Sequence, residues 1–218
     1  MQFSGVGKIR EQIEIILRHW GMSEENINIT AIAMSDADLS GIDSRGISML
    51  MKYDALVSGG RLDMRAQTEI VTETPAIAVL DAKAGLGHPA AMKAMDLAID
   101  KAQTLGVGAV AVFNSHHFGA AGYYVRRAAA RGLIGMITTT AASVAVIPTG
   151  GMHPALGINP LAFAAPSSGG EPFVLDMSTS TVAMNKVKMY ALKKEKLPQG
   201  WVVDGAGKSI TDSTLAYE

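Results

Sequence analysis

Cysteine is absent from the 218 residues, so no disulfide staples the fold and a hydrophobic core has to hold it together. An excess of charge of either sign is missing too: 19 Lys and Arg stand against 20 Asp and Glu, a formal net charge of −1 with an isoelectric point near 6.5. Counterion release needs a clustered excess of cations, so the composition makes no case for nucleic acid or for an acidic membrane surface. The one basic run, Lys193 to Lys196, reads as a solvated helix end. No segment approaches the roughly 18 uninterrupted apolar residues of a membrane span. The opening stretch carries Arg10, Glu11 and Glu14 inside its apolar pattern, unlike the clean core of a signal peptide. The expected location is the cytoplasm. Neither an internal repeat nor a low-complexity linker divides the chain.

What is present is a core-forming composition, 48% hydrophobic with 23 glycines and a mean hydropathy of +0.21. A chain of this size buries about 70% of its unfolded surface, enough for one large domain or a domain with a small appendage. Ile9, Ile13, Ile16, Leu17 and Trp20 recur at helical spacing before Gly21 and predict an amphipathic first helix. A second helical pattern runs from about Ile27 to Leu39 and stops at Gly41. Ser44 has the chemistry of an N-cap, with Ile47, Leu50, Met51 and Ala55 forming an apolar stripe up to Gly59-Gly60.

Beyond residue 62 the period changes. "TEIVTE" and "AIAVLDA" read as strands, "PAAMKAMDLAIDKAQTLG" as a helix, "VGAVAVF" as a buried strand, "AAGYYVRRAAARG" as a helix and "LIGMITTT" as a strand. Strands near Leu161 to Ala165 and Pro172 to Asp176 follow, then a helix from about Thr181 to Lys196 and a turn-rich tail. The expected architecture is a helical N-terminal segment, residues 1–62, beside a layered α/β core, residues 63–218, with a mixed or parallel sheet. The tail "TDSTLAYE" is read as lacking any element that closes a domain, and the chain is expected to be the front part of a longer protein.

"GLGHPA", Gly85 to Ala90, fits a Gly-x-Gly-x-x-Ala dinucleotide pattern between a predicted strand and helix. The acid that should end the next strand and hold ribose hydroxyls is missing, because that strand ends "VFNS". The motif is therefore read as a plain tight turn in preference to a pyrophosphate site.

"NSHHFGAAGYY", Asn114 to Tyr124, places two of the five histidines between a predicted strand and helix. Ligands in open α/β sheets collect beyond the carboxyl ends of strands, which is where this loop lies. A histidine near a helix N-terminus is held neutral by the positive end of the macrodipole and can exchange a proton near neutral pH. The competing readings are a capping or surface pair, and a metal site. The second is disfavoured because adjacent side chains seldom reach one ion, no His-x-x-x-His is present, and His88 and His153 are distant in sequence. No metal is expected.

Five blocks, "DADLSGIDSRGISMLMKY", "NSHHFGAAGYY", "IPTGGMHPALGINPLAFAAPS", "VLDMSTSTVAMNKV" and "LPQGWVVDGAGKSITD", together resemble in order and spacing the malate/L-lactate dehydrogenase family. That family also includes ureidoglycolate, sulfolactate and diketogulonate dehydrogenases and cyclic-imine reductases. The resemblance implies a three-layer α/β/α core with a mixed sheet of the L-sulfolactate dehydrogenase type, not a Rossmann domain. It implies NAD or NADP, bound extended near a homodimer interface, and a further C-terminal cofactor segment beyond this chain. The implied reaction interconverts a small 2-hydroxy acid and a 2-oxo acid; the alternative is a relative that binds ligand without turnover.

By the same resemblance His117 matches the family's active-site histidine in the Ser-x-His-Phe-Gly block, and His116 falls on a variable position. His117 is the expected proton carrier. Asp176, Met177, Ser178, Thr179 and Ser180 match a cofactor-contacting stretch at a strand end, though Asp176 also suits a structural N-cap. Thr140 to Ala142 stands where relatives carry Thr-Asn-Ser facing the cofactor, and Thr140 alone of the three keeps its hydroxyl.

Two positions depart from the family. Asp43-Ser44-Arg45-Gly46 stands where relatives read Asp-Ser-His-Gly, and Met49 replaces an arginine four residues on. A helix through this block would align Arg45, Met49 and Tyr53 at i, i+4 and i+8 on one face toward the substrate. Arginine cannot deliver a proton at ordinary pH, so acid–base duty falls on His117. Arg45 is expected to replace the lost fork for a substrate carboxylate, with Ser44 and Tyr53 beside it. The plainer reading makes Arg45 a surface residue and Met49 core.

Overall fold

The computed structural model describes residues 5–141, 144–151 and 153–217, and the apolar spacing of its opening residues translates directly into packing. Helix α1 (Val6–His19) buries Ile13 and Leu17 against Ile27, Ala31 and Met34 of α2 (Glu24–Leu39), with Met49, Leu50 and Tyr53 closing the same cluster. Each fully buried aliphatic side chain of this kind contributes about 1.5–3 kcal/mol of transfer free energy.

The third helix is shorter than expected. The chain makes two 3₁₀ turns, Asp43–Arg45 and Ile47–Met49, and α3 covers only Leu50–Ser58, with Met49 rather than Ser44 at its N-cap position. Gly46 lies between the turns at φ −93° and ψ −142°, outside helical space, which interrupts the ladder. Arg45, Met49 and Tyr53 therefore do not share one helix face. Met49 is core at 3% exposure, Tyr53 is fully buried, and Arg45 is half-buried.

Strands β1 (Glu69–Glu73), β2 (Ile77–Gly85) and β3 (Ala109–Ser115) form a sheet in that order, with β1 antiparallel and β3 parallel to β2. Helix α4 (Gly87–Leu105) connects β2 to β3 and packs on both, covering Ala78, Leu80 and Ala82 of β2. The sheet is mixed, as expected of an α/β fold. "VGAVAVF" is not a buried strand, however: Ala109, Ala111 and Phe113 are exposed, because among the described residues β3 is an edge with a strand neighbour on one side only.

Helix α5 (Ala121–Ala129) leads to a second sheet of β4 (Gly135–Thr138), β5 (Leu161–Ala165) and β6 (Phe173–Met177), in that order. Helices α6 (Met184–Lys193) and α7 (Ser213–Tyr217) pack on each other. The tail thus ends in a helical turn, not in unbroken loop. The described residues up to Gly135, with Phe163–Val174, make one compact unit; Met136–Ala162 with the described residues from Leu175 make another. Among the described residues no helix is long and apolar enough to cross a membrane.

Candidate active site

The parallel pair β2 and β3 brings two loops side by side at its carboxyl end. The main chain enters both under strain: Lys83 (φ 53°) and Ala84 (φ 58°) at the end of β2, and Asn114 (φ 52°) in β3, adopt the left-handed conformation without being glycine. Asp81 holds both kinks. One of its carboxylate oxygens accepts the Lys83 backbone N–H at 2.7 Å and the Asn114 side-chain amide at 3.0 Å.

The loops then bond to each other. The His116 N–H donates to the Gly85 carbonyl and the Gly87 N–H to the His117 carbonyl, both at 3.0 Å. Gly87 and Gly119 make the approach possible. A Cβ on Gly87 would collide with the His116 carbonyl and come within 2.8 Å of the Phe118 Cβ; one on Gly119 (φ +83°) would lie 2.7 Å from Nε2 of His88. "GLGHPA" is thus a turn whose glycine admits a neighbouring loop of the same chain.

The adjacent histidines have separate tasks. The His116 ring bonds through Nε2 to the Arg61 carbonyl at 2.7 Å, tying the turn to the segment after α3. His117 points the other way, its Nδ1 2.7 Å from the Tyr53 hydroxyl and 3.4 Å from the Gly119 N–H. An edge of residue 117 reaches the surface, but Nε2 is buried and has no hydrogen-bond partner among the described residues. An N–H can only donate, so the Gly119 contact favours a lone pair on Nδ1, the Tyr53 hydroxyl donating to it and the ring proton on Nε2.

A third ring, His88 in the first turn of α4, completes the cluster. It is fully buried, with both nitrogens unpartnered among the described residues, and its centroid lies 6.2 Å from those of Tyr53 and His117. The sequence placed it far from His117, and only the pairing of β2 with β3 brings it there. The available signal was that both histidine loops follow strands capable of pairing in parallel.

Burial dominates the electrostatics. It holds His117 well below the ordinary imidazole value, with His88, Arg45 and Lys52 adding to the depression, and it pushes His88 down to about 3. The direction of the shift favours a neutral ring, and desolvation rather than the dipole of α5 is its main cause. The Tyr53 hydroxyl is pushed up by burial, opposed by Arg45. Arg45 is thus close enough for its charge to reach both Tyr53 and His117, although no continuous helix carries the three. Ser44 is half-buried in the same 3₁₀ turn.

The remaining predicted residues belong to the second unit. Thr140 is exposed, and Ala142 lies outside the described residues. Asp176 and Met177 are exposed at the end of β6; Asp176 does not cap α6, whose N-cap is Ala183. The Ser178, Thr179 and Ser180 hydroxyls donate to the carbonyls of Ser180, Ile158 and Val182, and the Thr179 N–H also goes to Ile158. Their oxygens keep acceptor lone pairs, which suit the hydroxyls of a ribose better than a phosphate. An open groove of about 440 Å³ between α2, β1 and α4 contains none of the predicted residues. Among the described residues no group of three or more His, Asp or Glu is placed to hold a metal ion.

Comparison with known proteins bears on the family and the fold. The chain is 44% identical over 194 residues to a malate dehydrogenase of Pyrococcus abyssi, covering 88% of this chain and 53% of that protein. It is 42% identical over 203 residues to an L-sulfolactate dehydrogenase of Methanocaldococcus jannaschii, covering 93% and 58% respectively. A malate dehydrogenase crystal structure from Entamoeba histolytica superposes with a TM-score of 0.94 at 34% identity, over 99% of this chain and 60% of that one. The chain therefore spans somewhat more than half the length of the relatives it matches. The malate/L-lactate dehydrogenase profile matches residues 6–218, and the chain belongs to that family.

Proposed function

We propose that the protein is an NAD(P)-dependent oxidoreductase that interconverts a small 2-hydroxy acid and the corresponding 2-oxo acid, with His117 as acid and base. The observation that carries this is the buried Nε2 of His117, which has no hydrogen-bond partner among the described residues and whose opposite nitrogen is held by Tyr53. Thr140 and the Asp176–Ser180 stretch would hold a dinucleotide, whose chemistry there would be to supply or accept the hydride.

In the reductive direction Nε2 donates its proton to the substrate oxygen, and the hydroxy acid leaves with that proton and the hydride. The ring must be cationic to do this, and in the free protein burial, Arg45 and Lys52 oppose that form. A substrate carboxylate paired with Arg45 cancels part of this positive field and favours proton uptake at His117. Arg45 then supplies the planar fork that Met49 lacks, and Ser44 lies in the same turn. In the oxidative direction Nε2 takes the hydroxyl proton only from the other neutral tautomer, in which Nδ1 bears the proton and donates it to the Tyr53 oxygen, so substrate binding must select that tautomer over the one favoured in the free protein. On this reading residues 1–62 furnish substrate contacts, residues 63–218 carry the cofactor side, and the enzyme is a cytoplasmic homodimer.

The test is oxidation of NADH and of NADPH by the full-length protein with a panel of 2-oxo acids at neutral pH. Turnover with at least one acid is expected, falling by about three orders of magnitude in His117→Gln while dinucleotide binding survives. Dinucleotide binding without oxidation of any acid would favour a relative that has lost turnover.

A further inference from the structure

Arg45 sits on a short turn with little secondary structure to hold it, so something else must fix where its side chain begins. We propose that Asp38, in the last turn of α2, is the positioning residue that sets this turn and thereby presents Arg45 to the substrate carboxylate; this rests on the reading of Arg45 given above.

Three observations carry the assignment. One Asp38 carboxylate oxygen accepts the Ile47 backbone N–H at 2.9 Å, two residues beyond Arg45. The chain passes the carboxylate so closely at Gly46 that a Cβ there would overlap its atoms, so main chain and carboxylate are in direct contact. On the other side of Arg45 the turn is anchored to the same end of α2: the Ile42 N–H donates to the Ala37 carbonyl and the Arg45 N–H to the Ile42 carbonyl, both at 2.8 Å. Arg45 is thus clamped between a bond before it and a bond after it, and the second is the only one of the two made by a side chain. Asp38 is half-buried, and burial raises its pKa while the Ile47 N–H lowers it and the nearby Asp43 raises it further. A partly desolvated carboxylate placed against a main-chain N–H, with Gly46 accommodating it, is a local arrangement that a solvated helix end would not need.

The role predicts a selective defect. In the full-length enzyme, kcat and KM are measured with the most active 2-oxo acid of the panel and with its methyl ester, which keeps the carbonyl and loses the charge. Asp38→Ala should raise the KM for the acid about tenfold and leave the ester far less affected, while Asp38→Asn, which keeps an acceptor for Ile47, restores most of the loss. In an Arg45→Ala background the same Asp38→Ala change should add little, since the two act through one contact. Equal loss on acid and ester, or full additivity with Arg45→Ala, overturns the assignment. Should Asp38→Ala fail to fold, Asp38→Glu moves the acceptor by one methylene and must give the same acid-selective rise. If Arg45→Ala itself leaves the acid's KM unchanged, the carboxylate reading falls; if Arg45→Ala raises it and no Asp38 variant does, only the positioning role falls.

Discussion

The histidine loops of the first unit and the hydroxyl-bearing stretch of the second are built in opposite ways. Tyr53 and His117 are 64 residues apart and meet by a side-chain bond in a buried cluster, supported by two loops that interlock through glycines. Ser178 and Ser180 bond to carbonyls two residues away, and Asp176, Met177 and Thr179 are exposed. The first arrangement is fixed by tertiary packing before any ligand arrives. The second is a scaffold built largely of near-neighbour bonds, in which Ser178 and Ser180 are only half-buried. A ring that must be held in one orientation in a dry environment needs the former, whereas recognition of a hydroxylated ligand can be served by the latter.

The contrast is broken most severely at Gly119. Alanine there would have to adopt φ +83° and place its methyl 2.7 Å from the His88 ring, which sits against Tyr53 and His117. Gly119→Ala should lower unfolding stability by about 2–3 kcal/mol, from the backbone strain and the overpacking together. Chemical denaturation measures it. A change within 0.5 kcal/mol would mean that the loops are not interlocked as described.

The next effect is electrostatic and distinguishes His88 from an inert core ring. Its pKa is depressed in the folded protein to about 3, so folding favours the neutral form. As pH falls below about 6.5 the unfolded chain takes up a proton there that the folded chain refuses, and stability is lost progressively until the folded value is reached. His117, depressed in the same direction, adds to the slope. Replacing His88 by Phe should therefore reduce the pH dependence of stability between pH 6 and 4 by about 1.4 kcal/mol per pH unit at most. The comparison is of the two slopes, by denaturation at a series of pH values; identical slopes would show that His88 titrates alike in both states.

Much of this organisation was readable beforehand because it is periodic. The apolar spacing from Ile9 to Trp20 and the glycine stops gave α1 and α2, and the run from Leu161 to Ala165 is β5 as drawn. Most of what failed depended on facts outside the local pattern. The i, i+4, i+8 face assumed an unbroken helix through Gly46, whose conformation is not helical. "VGAVAVF" has the composition of a buried strand, but burial is decided by neighbours that composition does not name. His88 was hidden because sequence distance says nothing about which loops end a parallel pair. The last helix was legible and missed: Asp212 accepts the backbone N–H groups of Thr214 and Leu215 at 2.9 and 3.1 Å, the N-cap chemistry that "DSTL" announces.

The smallest effect lies at the other pole of the comparison. Because the Thr179 hydroxyl bonds to Ile158, whose carbonyl also accepts the Thr179 N–H at 2.9 Å, losing the hydroxyl leaves that carbonyl satisfied. Thr179→Val keeps the shape and should therefore cost less than about 0.5–1 kcal/mol in stability. If the oxygen's remaining lone pairs receive a ribose hydroxyl, the dissociation constant for the dinucleotide should rise about fivefold, with kcat at saturating cofactor unchanged. Fluorescence titration with NADH and NADPH reads the first quantity and steady-state kinetics the second. A fall in kcat at saturation would give this residue a part in the chemistry, and the proposed division between a buried catalytic cluster and a binding scaffold would no longer stand.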